Sequence, residues 1–83
     1  MSYEKVAQVK HNLVIGMKQT LKAIRNGEVT EVVIAADADQ HITNKVSQLA
    51  KQMNVPCIQV DSKKQLGKAC GIDVSTATVA IKH

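Results

Sequence analysis

The residues with most chemical potential in this chain open with the stretch Gly16-Met17-Lys18-Gln19-Thr20-Leu21-Lys22. Lys18, Lys22 and Arg25 recur at i, i+4 and i+7, a spacing that stacks cations into a ridge on one side of a helix. A glycine ahead of a helix start permits close backbone approach, and the free N–H groups there favour an anion such as phosphate. Gln19 adds an amide, able both to donate to and to accept from a base edge. Lysines at this spacing also occur on solvated helix faces, so periodicity alone does not separate a phosphate site from a soluble surface. The order strand, glycine, helix start is what favours phosphate.

Other reactive residue types do not assemble. Asp37 and Asp39 could serve as an acid pair for catalysis or metal binding, or as caps on the helix that follows; their i, i+2 spacing at a helix start favours capping. His11, His41 and His83 share no motif with one another or with a Ser or Cys, and no GxGxxG or P-loop pattern is present. Cys57 and Cys70 form no CxxC and have no His pair nearby, which leaves two buried thiols in a reducing compartment as the plain reading. The expectation is a chain with no catalytic residue, no metal and no cofactor.

Composition narrows the partner. Eleven Lys and Arg against seven Asp and Glu give a net charge of +4, which suits an anionic partner if the cations cluster. There is no Phe, no Trp and only Tyr3, so the core must be aliphatic, and the aromatic platform that stacks splayed single-stranded bases cannot be built. The opening MSYEKVAQ has acidic Glu4 and no long apolar run, so neither a signal peptide nor a membrane span is expected, and the expected compartment is the cytoplasm.

The elements that must position these residues alternate along a single expected domain spanning residues 1–83. Tyr3 to about Lys10 reads as a first helix, and Leu13, Val14 and Ile15 as a strand stopped by Gly16. Met17, Leu21 and Ile24 make the core-facing stripe of a helix over Met17 to Asn26, with Gly27 as its stop. Val32 to Ala36 is an unbroken apolar run suited to a sheet covered on both faces. After Asp39, the residues Ile42, Val46, Leu49, Ala50 and Met53 keep helical spacing until Asn54 to Pro56. Cys57 to Val60 is a third strand, Ser62 caps a short helix that Gly71 breaks, and Ala77 to Ile81 closes the pattern. Alternation of this kind predicts an α/β sheet between helices, with ligands beyond the carboxyl ends of the strands. Gly67 inside the short helix predicts something packed close to its backbone, and Ile72 and Val74 in the loop after it must either tuck into the core or meet a ligand.

Two segments together, Gly16-x-Lys18-Gln19-Thr20-x-Lys22 and Val55-Pro56 through Ser62-Lys63-x-x-Leu66-Gly67-x-Ala69-Cys70-Gly71, resemble the kink-turn-binding ribosomal protein family. That family includes archaeal L-seven-Ae, eukaryotic L-thirty-e and short bacterial L-seven-Ae-like proteins; Ala35-Ala36-Asp37-Ala38-Asp39 resembles its helix-start segment as well. The resemblance implies a three-layer α/β/α sandwich around a four-stranded mixed sheet whose final strand runs antiparallel to its neighbours. It also implies a grip on a kink-turn, a sharply bent RNA duplex with tandem sheared G·A pairs. Carried over by position, Gly16, Lys18, Gln19 and Lys22 would face the major-groove side of those pairs and their phosphates. Asp39 and Lys63 would sit near the flipped-out loop nucleotide, and Ile72, Asp73 and Val74 would pack over the bulge. The implied partner is structured RNA, ribosomal RNA included, and not DNA or a membrane, with the protein a monomer.

Many archaeal and nucleolar members carry Asn-Glu where this chain has Lys18-Gln19, and Lys18 can only donate where a Glu carboxylate accepts from guanine amino groups. Lys-Gln resembles the L-thirty-e and bacterial branch. Two alternatives remain open at the level of sequence. One is a small-molecule or nucleotide-binding domain using the strand ends with Asp37 and Asp39, and the other is a structural subunit that docks on protein.

Overall fold

The computed structural model describes residues 12–82. In chain order these form β1 (Leu13–Ile15), α1 (Met17–Arg25), β2 (Val29–Ala35), α2 (Gln40–Gln52), β3 (Cys57–Val60), α3 (Lys63–Cys70) and β4 (Thr78–Lys82). The helix expected over Tyr3 to Lys10 lies outside the described residues.

The strands form one sheet in the order β1-β4-β2-β3, with β2 and β3 parallel and β4 antiparallel to both β1 and β2. The sheet is therefore mixed, as expected. Strand alternation sends Val32 and Ala80 to one face, where Ala23 and Ile24 of α1 and Val46 and Ala50 of α2 cover them. It sends Val33, Val79 and Ile81 to the other, under Leu66 and Cys70 of α3. This three-layer arrangement explains the unbroken apolar run in β2, since a strand covered on both faces has no polar side. Leu66 is fully buried, and burial of a side chain of that size stabilises the fold by about 1.5–3 kcal/mol.

Ends of elements follow their caps. Asp39 caps α2 by accepting the His41 N–H at 2.9 Å, and Ser62 caps α3 by accepting the Gln65 N–H at 3.2 Å. Gly71 closes α3 in the left-handed region at φ 82°. Asn54, at φ 59°, turns the chain out of α2, a conformation that Asn tolerates better than most residues.

The elements depart from expectation at several points. β2 begins at Val29 rather than Val32, because Thr30 and Glu31 interrupt the apolar run yet still lie beside β4; the Thr30 hydroxyl donates to the Ile81 carbonyl at 3.0 Å across an irregular register. The innermost face of α1 is Thr20, Ala23 and Ile24, whereas Met17 and Leu21 are only half-buried. Small side chains there let the helix approach Ala80 and Val32 closely, and the longer ones are turned toward the flank. Met53, expected on the inner stripe of α2, is the C-cap and stands 43% exposed. Among the described residues, no helix is long and apolar enough to cross a membrane.

Candidate nucleic-acid interface

Parallel β1, β2 and β3 all end at the same edge of the sheet, and antiparallel β4 begins there. Four segments therefore meet on one rim, and backbone hydrogen bonds lace them together. Gly16 N–H donates to Thr78 C=O at 3.2 Å, Ala35 N–H to Ala77 C=O at 2.9 Å, and Ala36 N–H to Val60 C=O at 2.7 Å. At normal strand spacing, the rim from Gly16 to the end of β3 spans three intervals, roughly 14 Å.

At one end of the rim Gly16 adopts φ 100°, which a side chain would strain, and nothing lies within 4 Å of where a Cβ would stand. The backbone is thus open to a ligand at that point. No side chain caps α1, and its first turn holds no acidic residue. The first N–H groups of a helix have no partner within it, so the α1 start presents donors and the positive end of the helix dipole. Lys18, Gln19 and Lys22 around it are all exposed. The basic ridge fans out along the helix: Lys22 leans with Gln19 toward the β1 side, and Arg25 leans with Leu21 toward α2.

The two aspartates are committed to backbone. Asp39 caps α2, and the Asp37 carboxylate accepts the Lys63 N–H at 2.8 Å, tying the exit of β2 to the start of α3. Each thus offsets exposed helix-start donors, which weakens the reading of them as a catalytic or metal-binding pair. The Lys63 backbone is used twice, since its carbonyl also accepts the Thr76 N–H at 3.1 Å. Its side chain remains exposed.

Beyond Gly71 the loop doubles back along α3 toward the rim. Ile72 tucks against the core, with its N–H donating to Gly67 C=O at 3.1 Å, while Val74 stands 67% exposed. The two branched residues thus divide the roles between which their sequence did not choose. Gly67 is fully enclosed: a Cβ there would run into the Val74 carbonyl oxygen and come within 3.2 Å of Ser75 Cα. The loop rests on α3 at the one residue that leaves room for it. Between them lies a cleft of about 450 Å³, with Lys63, Lys64 and Lys68 on one side and Asp73 and Val74 on the other.

The residues singled out from sequence fall into two groups. Gly16, Lys18, Gln19, Asp39 and Lys63 lie at or beside the rim, with Lys22 one turn along α1. Ile72, Asp73 and Val74 descend from the rim along the flank of α3, on the opposite face of the sheet from α1. Lys63 joins the groups, being both the first residue of α3 and a wall of the cleft. Lys64 and Lys68 were not singled out individually; helical spacing at i, i+1 and i+5 from Lys63 gives no sign that a loop will fold back beside them. Nor does anything local pair Asp37 with Lys63.

Partial burial of the sulfur pushes the thiols of both cysteines above their ordinary value, offset in part at Cys57 by a hydrogen bond with Ser47. Cys70 is buried as expected, whereas Cys57 is exposed on edge strand β3. Neither lies on the rim.

A model of the ribosomal protein L7Ae/L30e/S12e/Gadd45 family matches residues 1–83. An RNA-binding protein of Halalkalibacterium halodurans is 61% identical over 82 residues, spanning 99% of both chains. RNA-binding protein YbxF of Geobacillus stearothermophilus is 56% identical over 81 residues, spanning 98% of both. Among solved structures, the 15.5kD RNA binding protein of Giardia lamblia superposes with a TM-score of 0.88 at 32% identity, over 99% of this chain and 73% of that one.

Proposed function

This chain belongs to the ribosomal protein L7Ae/L30e/S12e/Gadd45 family, and from that premise we propose that it recognises kink-turns in structured RNA through the rim formed by the α1 start and the α3 flank. It is an RNA-binding protein rather than an enzyme, as relatives such as the RNA-binding protein 61% identical to it indicate. The observation that carries the finer reading is the contrast among helix starts. The starts of α2 and α3 are closed by the side chains of Asp39, Ser62 and Asp37, while α1 alone of the described helices has no side-chain cap, and its start is ringed by Lys18, Gln19 and Lys22. An uncapped helix start beside an open glycine suits a phosphate, and a straight duplex would bring phosphates to it on one side only.

A bent duplex can reach both faces of the sheet at once. One limb of the backbone lies against the α1 start, where Gln19 exchanges hydrogen bonds with base edges and Lys18 donates to them or to phosphate. The bulge side lies over Lys63 and the exposed Val74, whose branched side chain covers an unstacked nucleotide without an aromatic platform. Ile72 supports that loop from beneath, and Asp73 stands at its tip. In this reading the protein acts as a cytoplasmic monomer on structured RNA, ribosomal RNA among it, from a single domain over residues 1–83, and takes no cofactor.

The test is a titration of a kink-turn RNA and an uninterrupted duplex of equal length over rising salt. Tighter binding of the kinked RNA at every salt concentration is expected, with Lys18→Ala or Gln19→Ala weakening it about tenfold and Lys51→Ala, on the last turn of α2, by much less. Equal affinity for the two RNAs, or equal losses in all variants, would show that charge alone governs binding.

A further inference from the structure

Charge in this molecule is sorted by element. α1 carries Lys18, Lys22 and Arg25, α2 carries Lys45 and Lys51, and α3 carries Lys63, Lys64 and Lys68, yet none of the three helices contains an Asp or Glu. Ordinary surface helices interleave both signs, because i, i+4 pairs support the helix and neutral surfaces cost little. Here α1 and α2 forgo that support on a layer that extends well behind the rim.

A groove of about 220 Å³ runs between the outer faces of these two helices, with Arg25 on one wall, Lys45, Gln48 and Gln52 on the other, and half-buried Leu21 and Leu49 between them. Among the described residues, no acidic side chain lines it. Arg25 is the last residue of α1, roughly 12 Å along the helix from its start at the rim. The groove is therefore separate from the α1 start and from the α3 cleft, which lies across the sheet.

We propose that this groove is a second RNA contact, which takes the sugar-phosphate backbone of a regular duplex without regard to its shape or sequence. It goes beyond the kink-turn reading and takes from it only that the partner is RNA. Arg25 and Lys45 face one another across the groove as phosphate donors would across a single strand of backbone. The amides of Gln48 and Gln52 can donate to phosphate oxygens and exchange hydrogen bonds with ribose 2′-hydroxyls. Among the described residues the groove offers no aromatic surface on which to stack a base, so backbone rather than splayed bases is what fits.

The experiment measures the full chain against two RNAs, a minimal kinked RNA with short stems and an uninterrupted duplex, over a salt series. The variants are Lys45→Gln/Gln48→Glu, which changes only the groove, and Lys18→Ala, which changes only the rim. A second groove variant, Gln52→Glu, reads the same surface by repulsion. The groove variants should weaken the uninterrupted duplex on the order of tenfold and make its salt dependence shallower by about one phosphate contact, while the minimal kinked RNA changes by less than about twofold. Lys18→Ala should do the reverse. If the groove variants left duplex binding intact, the second contact would be overturned and the groove left to another partner, such as an acidic protein. Equal weakening of both RNAs by the groove variants would likewise overturn it, by merging the two surfaces into one. The kink-turn reading fails on a different result, the inability of the unaltered protein to tell the two RNAs apart.

Discussion

Gly67→Ala is the perturbation that best separates stability from recognition. In the middle of α3, Ala is favoured over Gly by about 0.5–1 kcal/mol from backbone entropy alone. Against that, the new Cβ meets the Val74 carbonyl, so the loop backbone must shift on the order of 1 Å to regain van der Waals separation. Overpacking of this kind costs about 1–3 kcal/mol. The two effects partly offset, for a net destabilisation of roughly 0–2.5 kcal/mol, or a melting-point fall of at most about 20 °C for a domain of this size. RNA binding has no such offset, because Val74 and Ser75 are the residues displaced. If Val74 covers an unstacked nucleotide, its misplacement forfeits much of a burial worth about 1.5–3 kcal/mol, and about 1.4 kcal/mol corresponds to tenfold in affinity. Kink-turn RNA should therefore bind Gly67→Ala about tenfold or more weakly, as read by fluorescence anisotropy, with the helical circular dichroism unchanged. Val74→Ser checks the same contact from the exposed side, with no change in melting expected. A folded Gly67→Ala protein that binds kinked RNA within twofold of the unaltered chain would refute the proposed role of the loop.

The other expectations concern the scaffold. Asp37→Ala removes the acceptor of the Lys63 N–H and should cost about 1 kcal/mol by thermal melting, with the start of α3 losing amide protection from hydrogen exchange; unchanged protection would mean that Ser62 alone holds that start. The Thr20 and Thr78 hydroxyls are buried without a hydrogen-bond partner among the described residues, so Thr78→Val should leave stability unchanged or raise it by about 1–2 kcal/mol in chemical denaturation, and a clear loss would reveal a hidden partner. Burial raises the Cys70 thiol pKa in the fold, so its contribution is fully present below the unfolded value of about 8.5 and declines as pH rises past that value through the folded one. Stability of the unaltered chain should therefore fall more steeply above about pH 8.5 than that of Cys70→Ala; parallel curves would deny the shift.

How much could be read from residues alone depended on whether the cause was local. β1 and β3 have their observed bounds in the sequence because Gly16 and Pro56 bracket compact apolar runs, and the caps at Asp39, Ser62 and Gly71 are local chemistry as well. The early part of β2 was hidden because Thr30 and Glu31 join the sheet through the neighbouring strand rather than through their own hydrophobicity. The inner face of α1 differs from its apolar stripe for a related reason. Apolar spacing points to Met17, Leu21 and Ile24; Ile24 is buried, but the close approach of Ala80 brings Thr20 and Ala23 inward in place of the other two. In the candidate site, Gly67 signalled a close packing partner without naming Val74. The lacing of Asp37 to Lys63 and of Lys63 to Thr76 joins residues far apart in the chain, and no pattern at either end encodes it.

Amide chemical shifts recorded during titration with a minimal kinked RNA test the central claim most directly. Two clusters of change should emerge together, one at Gly16 to Lys22 and one at Lys63 and Ile72 to Val74, from opposite faces of the sheet. Perturbation confined to the far edge, around Asn26 and Asn54, or limited to one of the two clusters, would contradict the account.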